Sequence, residues 1–168
     1  MRVGEFKKSL LNPPSRRTLC FFLVDNQVLL GKKKRGFGEG KWVGIGGKVE
    51  EGENIRDAAI REVDEEIGVI PKELQQAGKI GFYFADESVP NSWNQEVYVF
   101  LVEQWEGDIR ESSEIEPKWF PIEQLPLEMM WKDASYWLPK ILAGQKVTAD
   151  FLFNKKLGIQ DMELTHED

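Results

Sequence analysis

Cysteine and histidine are almost missing from this chain, each occurring once in 168 residues. Cys20 lies inside the apolar run Leu19 to Val24, so no intrachain disulfide can form, and a buried structural thiol is expected there rather than a nucleophile. His166 stands near the end of the sequence, which leaves histidine-built zinc sites and Ser-His or Cys-His catalysis without a member. Long apolar runs are lacking as well. Leu19 to Val24 is far short of the roughly 20 residues of a membrane span, and Met1 to Lys8 is too polar for a secretory signal. A reducing, cytoplasmic location is the expectation. Positive charge is in deficit, with 22 Lys and Arg against 29 Asp and Glu for a net charge of −7. That balance argues against a nucleic acid polymer or an anionic membrane as partner. The length suits one domain over residues 1–168, expected as a monomer, with one core. Carboxylates, lysines and metal remain as the available chemistry.

A glycine loop followed by a helix carries that chemistry. Between Gly47 and Val69 the sequence reads G-K-V-E-E-G-E-N-I-R-D-A-A-I-R-E-V-D-E-E-I-G-V. Asn54 reads as an N-cap or first-turn residue, and Gly68 as the C-cap that stops the helix. Ile55, Ala59 and Val63 form the stripe that faces the core. Glu62, Glu65 and Glu66 relate as i, i+3 and i+4 and project to nearly one side, away from that stripe. Clustered carboxylates repel unless a cation joins them, and an all-oxygen set suits Mg²⁺, with Mn²⁺ as the alternative, shared with substrate phosphates. A solvated acidic face is the competing reading of such a helix, and the flanking glycines and Arg61 weigh against it. Upstream, Gly36, Gly38, Gly40, Gly44 and Gly46 would let the backbone approach a ligand closely. The preceding run Lys32 to Arg35 is either a solvated hairpin end or the source of a lysine that faces phosphate.

Strands are expected at Thr18 to Val24 and Gln27 to Gly31, joined by an Asp25-Asn26 turn, then at Lys79 to Phe84 and Glu96 to Glu103 around a loop from Ala85 to Gln95. A short strand at Lys118 to Pro121 precedes a helix over Met130 to Ala143, in which Pro139 implies a kink or a start just upstream. Two more strands between Ala149 and Leu164, broken at Lys155 to Gly158, lead to a tail expected to fray.

The helical stretch also resembles the signature of the Nudix hydrolases, G-x5-E-x7-R-E-U-x-E-E-x-G-U with U a bulky aliphatic, at Gly47, Glu53, Arg61, Glu62, Val63, Glu65, Glu66, Gly68 and Val69. At background frequencies such a match arises by chance at about one start position in 10⁹. Beyond it, the runs L-L-G-K-K-K-R-G-F-G-E-G-K-W-V-G-I-G-G-K-V, G-K-I-G-F-Y-F and M-W-K-D-A-S-Y-W are similar to the oxidised-purine nucleoside triphosphate hydrolase branch, over most of residues 16–165. The resemblance implies an α/β (α+β) Nudix fold, an α/β/α sandwich around a mixed β-sheet. It implies hydrolysis of a small nucleoside triphosphate to the monophosphate and pyrophosphate. The metal ligands it implies are the Gly46 carbonyl, Glu62, Glu65, Glu66 and Glu114; Arg61 joins the three helix glutamates in the catalytic set, with Glu53 bracing them. Substrate contacts would come from Thr18, Lys33, Phe37, Val43, Ile45, Gly46, Gly47, Lys48, Phe82, Trp131 and Asp133.

This chain departs from the branch where Val43 stands in place of an asparagine, where Ala134 replaces the second of two aspartates, and in a longer loop at Ala85 to Gln95. These positions touch the base and leave the phosphate chemistry alone, so the choice of base stays open. Asp133 has a second reading as a helix N-cap, and Trp131 as plain core packing. Hydrolysis of another nucleoside diphosphate derivative, or nucleotide sensing without hydrolysis, are the rival functions.

Overall fold

The structure, a computed structural model, describes residues 1–168. Its frame is an eight-stranded sheet formed by β1 (Ser15–Val24), β2 (Gln27–Lys33), β3 (Trp42–Val43), β5 (Gln75–Phe84), β6 (Gln95–Val102), β8 (Ile115–Pro121), β9 (Lys146–Phe153) and β10 (Ile159–Glu167). The order along the sheet is β10-β9-β5-β6-β1-β2-β3, and β8 also pairs β2. The β1–β6 and β5–β9 pairs are parallel and the others antiparallel, so the sheet is mixed. A small ribbon of β4 (Ile70–Pro71) and β7 (Trp105–Glu106) stands apart.

Two helices cover opposite faces because the strands alternate apolar residues to both sides. On β1, Cys20 and Phe22 pack beneath α2 (Ile55–Ile67) with Ala59, Val63 and Ile67, whereas Phe21 joins Trp137, Leu138 and Ile141 of α3 (Ala134–Leu142) on the other side. This is the α/β/α sandwich expected from the sequence. Asn54 caps α2 by accepting from the Asp57 amide at 2.8 Å, and Gly68 ends it at φ 73°, a left-handed turn that costs glycine little. The buried stripe runs one turn further than expected, through Ile67, with Ile55 only partly covered.

Four expectations need correction. The N-terminal segment is not merely polar: α1 (Val3–Ser9) forms there, because Val3, Phe6 and Leu10 share a face that packs on Tyr83 and Leu152. The Val3 amide donates to Asp161 at 2.8 Å and ties α1 to the far edge of the sheet. The C-terminal tail does not fray at Leu164, since β10 stays paired with β9 as far as Glu167 opposite Lys146. The second helix is shorter than expected and starts at Ala134, after a 3₁₀ turn over Leu127–Met129. The strand expected at Lys118 begins at Ile115, because β8 pairs along the whole of β2. No helix is long and apolar enough to cross a membrane.

Ile67 has no exposed surface and locks the last turn of α2 to Cys20 and Phe22. Ile67→Ala is expected to lower the unfolding free energy by about 2–5 kcal/mol, measured by urea denaturation.

Candidate active site

The loop that leads into α2 presses so tightly against β1 that only glycine fits at Gly46. The Thr18 amide donates to the Gly47 carbonyl at 2.8 Å, and Ile45 exchanges two backbone bonds with Cys20 at 2.6 and 2.9 Å. A side chain at Gly46 would collide with the Thr18 carbonyl, and one at Gly47 with the Glu62 carboxylate. The absence of Cβ therefore first serves contacts within the protein, and the approach of a ligand second.

From α2, Arg61 reaches back over this loop. Its guanidinium binds Glu53 in a bidentate pair at 2.8 and 2.9 Å, donates to the Lys48 carbonyl at 2.9 Å, and touches Glu62 at 3.0 Å and Glu65 at 3.3 Å. Hydrogen bonds from Arg61 hold the Glu53 carboxyl down to about 2, so it stays ionised. Arg61 lies behind the glutamates and does not line the cleft, so its place in the catalytic set is that of a positioning residue.

Glu62, Glu65 and Glu66 do line the cleft, with different surroundings. Glu65 is exposed. Glu62 is raised above the usual carboxylate range, chiefly by burial, against the opposing pull of Arg61. Glu66 is pushed up to about 8, first by burial and then by the Glu62 charge, although the Gly46 backbone amide donates to it. Its Oε2 is shut off from solvent and accepts no hydrogen bond. Glu114 faces the same cleft from the start of β8, where Arg35 pairs with it and holds its pKa below the ordinary value. Arg61 pairs with Glu62 and Arg35 with Glu114, and no three of the carboxylates converge on one point.

The cleft has a volume of about 570 Å³ and is acidic at one end and aromatic at the other. Phe37 stacks on Trp131 with ring centroids 5.0 Å apart and meets Trp93 at 4.5 Å. Trp93 also meets Phe84 of β5 at 5.4 Å, and Phe84 stacks on Phe153 of β9 at 5.3 Å, with Phe82 of β5 lining the same cleft. Asp133 does not cap α3. Its backbone is helical, its carboxylate turns inward to accept from the Trp137 indole at 2.8 Å, and burial raises it to about 6. Trp131 is only partly buried and walls the cleft rather than filling the core.

Of the positions expected to contact substrate, Thr18, Lys33, Phe37, Val43, Gly46, Gly47, Lys48, Phe82, Trp131 and Asp133 all line this one cavity. Ile45 does not: its side chain is fully buried under α2 and its backbone is taken up by Cys20, so it presents no group to a ligand. Of the run Lys32 to Arg35, Lys33 alone faces the cleft, donating to the Phe37 carbonyl at 2.7 Å. Cys20 is inert, its thiol pushed up to about 12 by burial. Reading the sequence missed Phe84, Phe153, Trp137, Gln95 and Arg17, all of which line the cleft. The spacing of Phe82 and Phe84 carried a signal for one of them, since alternate residues share a strand face.

A cleft that joins an aromatic slot to a helix of glutamates, in a mixed sheet between two helices, defines a hydrolase that works with an oxygen-bound cation. A family model described as NUDIX domain matches residues 13–141, and the chain belongs to the Nudix hydrolase family. It is 40% identical over 151 residues to the oxidized purine nucleoside triphosphate hydrolase of Mus musculus, covering 90% of this chain and 94% of that protein. It is 41% identical over 136 residues to the protein of the same name in Danio rerio, covering 81% and 85%. The MutT protein of Bacillus halodurans has the same fold, with a TM-score of 0.75 and 27% identity over 89% of this chain and 97% of that one.

Nudix hydrolases generally use divalent metal ions. The donors here fit such an ion: every one is oxygen, Glu66 has an orphaned inner oxygen, and the Gly46 carbonyl accepts no hydrogen bond within the protein. A bound cation would also offset the cost of ionising Glu66.

Asp133 is bound more tightly to its proton in the folded chain than in the unfolded one. Its contribution to stability is therefore complete below the unfolded value of 3.8 and is lost as the pH rises through about 6. Between about pH 4 and about pH 7 the wild-type protein should lose roughly 3 kcal/mol relative to Asp133→Asn, read from thermal unfolding of both proteins.

Proposed function

We propose that the protein is a Mg²⁺-dependent nucleoside triphosphate pyrophosphohydrolase that acts on oxidised purine nucleotides such as 8-oxo-dGTP or 2-hydroxy-dATP, releasing the nucleoside monophosphate and pyrophosphate. The observation that carries this reading is the two-ended cleft. Stacked aromatics at one end match the faces of a purine, and glutamates with Lys33 and Lys48 at the other match a phosphate chain and its cation. The names of the mouse and zebrafish relatives point the same way. A cytoplasmic site of action, close to the nucleotide pool, goes with this reading.

When bound, Mg²⁺, or Mn²⁺ in its place, supplies Lewis acidity that neutralises the phosphates and makes water a better nucleophile. Glu62, Glu65, Glu66 and the Gly46 carbonyl would hold it, with Glu114 closing the site from β8. The chain's own part in the reaction is positional and protonic. Arg61 keeps Glu62 and Glu65 in place through the Glu53 and Lys48 contacts. Lys33 and Lys48 hold phosphate oxygens as point charges. As the water oxygen bonds to phosphorus, the anhydride P–O bond breaks, pyrophosphate leaves with the bonding electrons, and the water proton passes to Glu66. That residue suits the role because its inner oxygen accepts nothing within the protein and a bound cation would keep its carboxylate ionised and ready to take the proton. Asp133 lines the cleft beside Trp131, and burial raises its carboxyl to about 6, so it is suited to accept from a base edge at neutral pH and to donate to one at lower pH.

Glu66→Gln removes the proton acceptor while keeping the shape of the side chain. It is expected to cut kcat by about 10²-fold or more with the fold intact by circular dichroism; near-normal turnover would remove Glu66 from the role. With Mg²⁺ present, kcat/KM for 8-oxo-dGTP or 2-hydroxy-dATP should exceed that for dGTP and dATP by about tenfold or more, with pyrophosphate as product. Release of orthophosphate, or turnover of only nucleoside diphosphate derivatives, would overturn the reading.

A further inference from the structure

Arg17 is the one arginine that lines the cleft, and it has no partner within the protein. Arg61 is tied to Glu53, and Arg35 to Glu114. Arg17 makes neither an ion pair nor a side-chain hydrogen bond, and its Nε is both sealed from solvent and unbonded. A planar guanidinium carries five donors, and a buried donor without an acceptor is destabilising unless something outside the chain meets it. Its place is not accidental. Arg17 lies on β1 where the loop before α2 folds back to form an isolated bridge between Arg17 and Lys48, and on the cleft side of that strand it is followed by Leu19 and Phe21.

Three cations, Arg17, Lys33 and Lys48, thus line the same cavity. Lys33 has its pKa lowered first by burial and next by Arg17, whose repulsion outranks the attraction of Glu66 and Glu114. Cations gathered around one cavity repel one another, an anion bound among them relieves that repulsion, and a guanidinium matches two oxygens of one phosphate.

We propose that Arg17 is a substrate-binding residue that grips the phosphate chain of the nucleotide, with Lys33 beside it, at the junction of the aromatic and acidic halves of the cleft. The proposal rests on the nucleotide reading above and adds to it the group that spans the two ends. Arg17 holds the chain by two parallel hydrogen bonds, where Lys33 and Lys48 act as point charges.

The test is a binding comparison of the wild-type protein with Arg17→Met, which keeps the apolar stem, and Arg17→Lys, which keeps the charge. Tryptophan fluorescence in Mg²⁺ would follow the α,β-methylene analogue of 8-oxo-dGTP and, separately, 8-oxo-deoxyguanosine, which has no phosphate. Arg17→Met is expected to weaken the triphosphate analogue by about tenfold or more and leave the nucleoside unchanged, and Arg17→Lys to recover part of the loss. Equal weakening of both ligands, or of neither, would overturn the proposal. Wild-type protein that binds the analogue through Arg17 but does not hydrolyse purine triphosphates would overturn the hydrolysis reading alone.

Discussion

The site depends on one guanidinium. Arg61 joins the loop before α2 to the helix that carries the glutamates, through a bidentate pair with Glu53 and a bond to the Lys48 carbonyl, and the same group steadies Glu62 and Glu65. A lysine could not do this, since a point charge cannot satisfy two carboxylate oxygens and a carbonyl along fixed directions. Loop and helix are thereby tied into one unit, and Glu62 and Glu65 are held side by side at the cleft.

The two-sided packing of the sheet makes room for that unit. Ala59, Val63 and Ile67 seat α2 on one face, and Trp137, Leu138 and Ile141 seat α3 on the other. The chemical half of the cleft is built from α2 and its loop, and the aromatic half from strands β5 and β9 and the segment before α3. Each half is anchored in a different core. Of the two departures from the family branch that line the cleft, Ala134 belongs to the α3 core behind the aromatic wall, and Val43 packs against the α2 core.

Burial is what differentiates chemically similar side chains. Glu53 and Glu66 are both glutamates of the signature, yet Arg61 holds one near 2 while burial drives the other to about 8. Asp133, Cys20 and Lys33 are likewise shifted mainly by the loss of water around them.

Much of this was legible in the residue order, because its causes are local. The i, i+3, i+4 spacing placed three glutamates on one helix face, Asn54 and Gly68 set that helix's ends, and alternation marked most strands. The N-terminal helix was overlooked because its three apolar residues have meaning only against Tyr83 and Leu152, far away in sequence. Ile45 lies between Gly44 and Gly46, which line the cleft, whereas the bridge to Cys20 turns its side chain into the core. Arg17, Gln95, Phe84 and Phe153 became members of the site only through the pairing of β1, β5, β6 and β9. The sequence by itself determined the reactive helix, since a helix repeats every 3.6 residues whatever it packs against. Only the tertiary structure decided which aromatic and cationic side chains share the cleft with it, because strand register and burial are set by partners that no local pattern specifies.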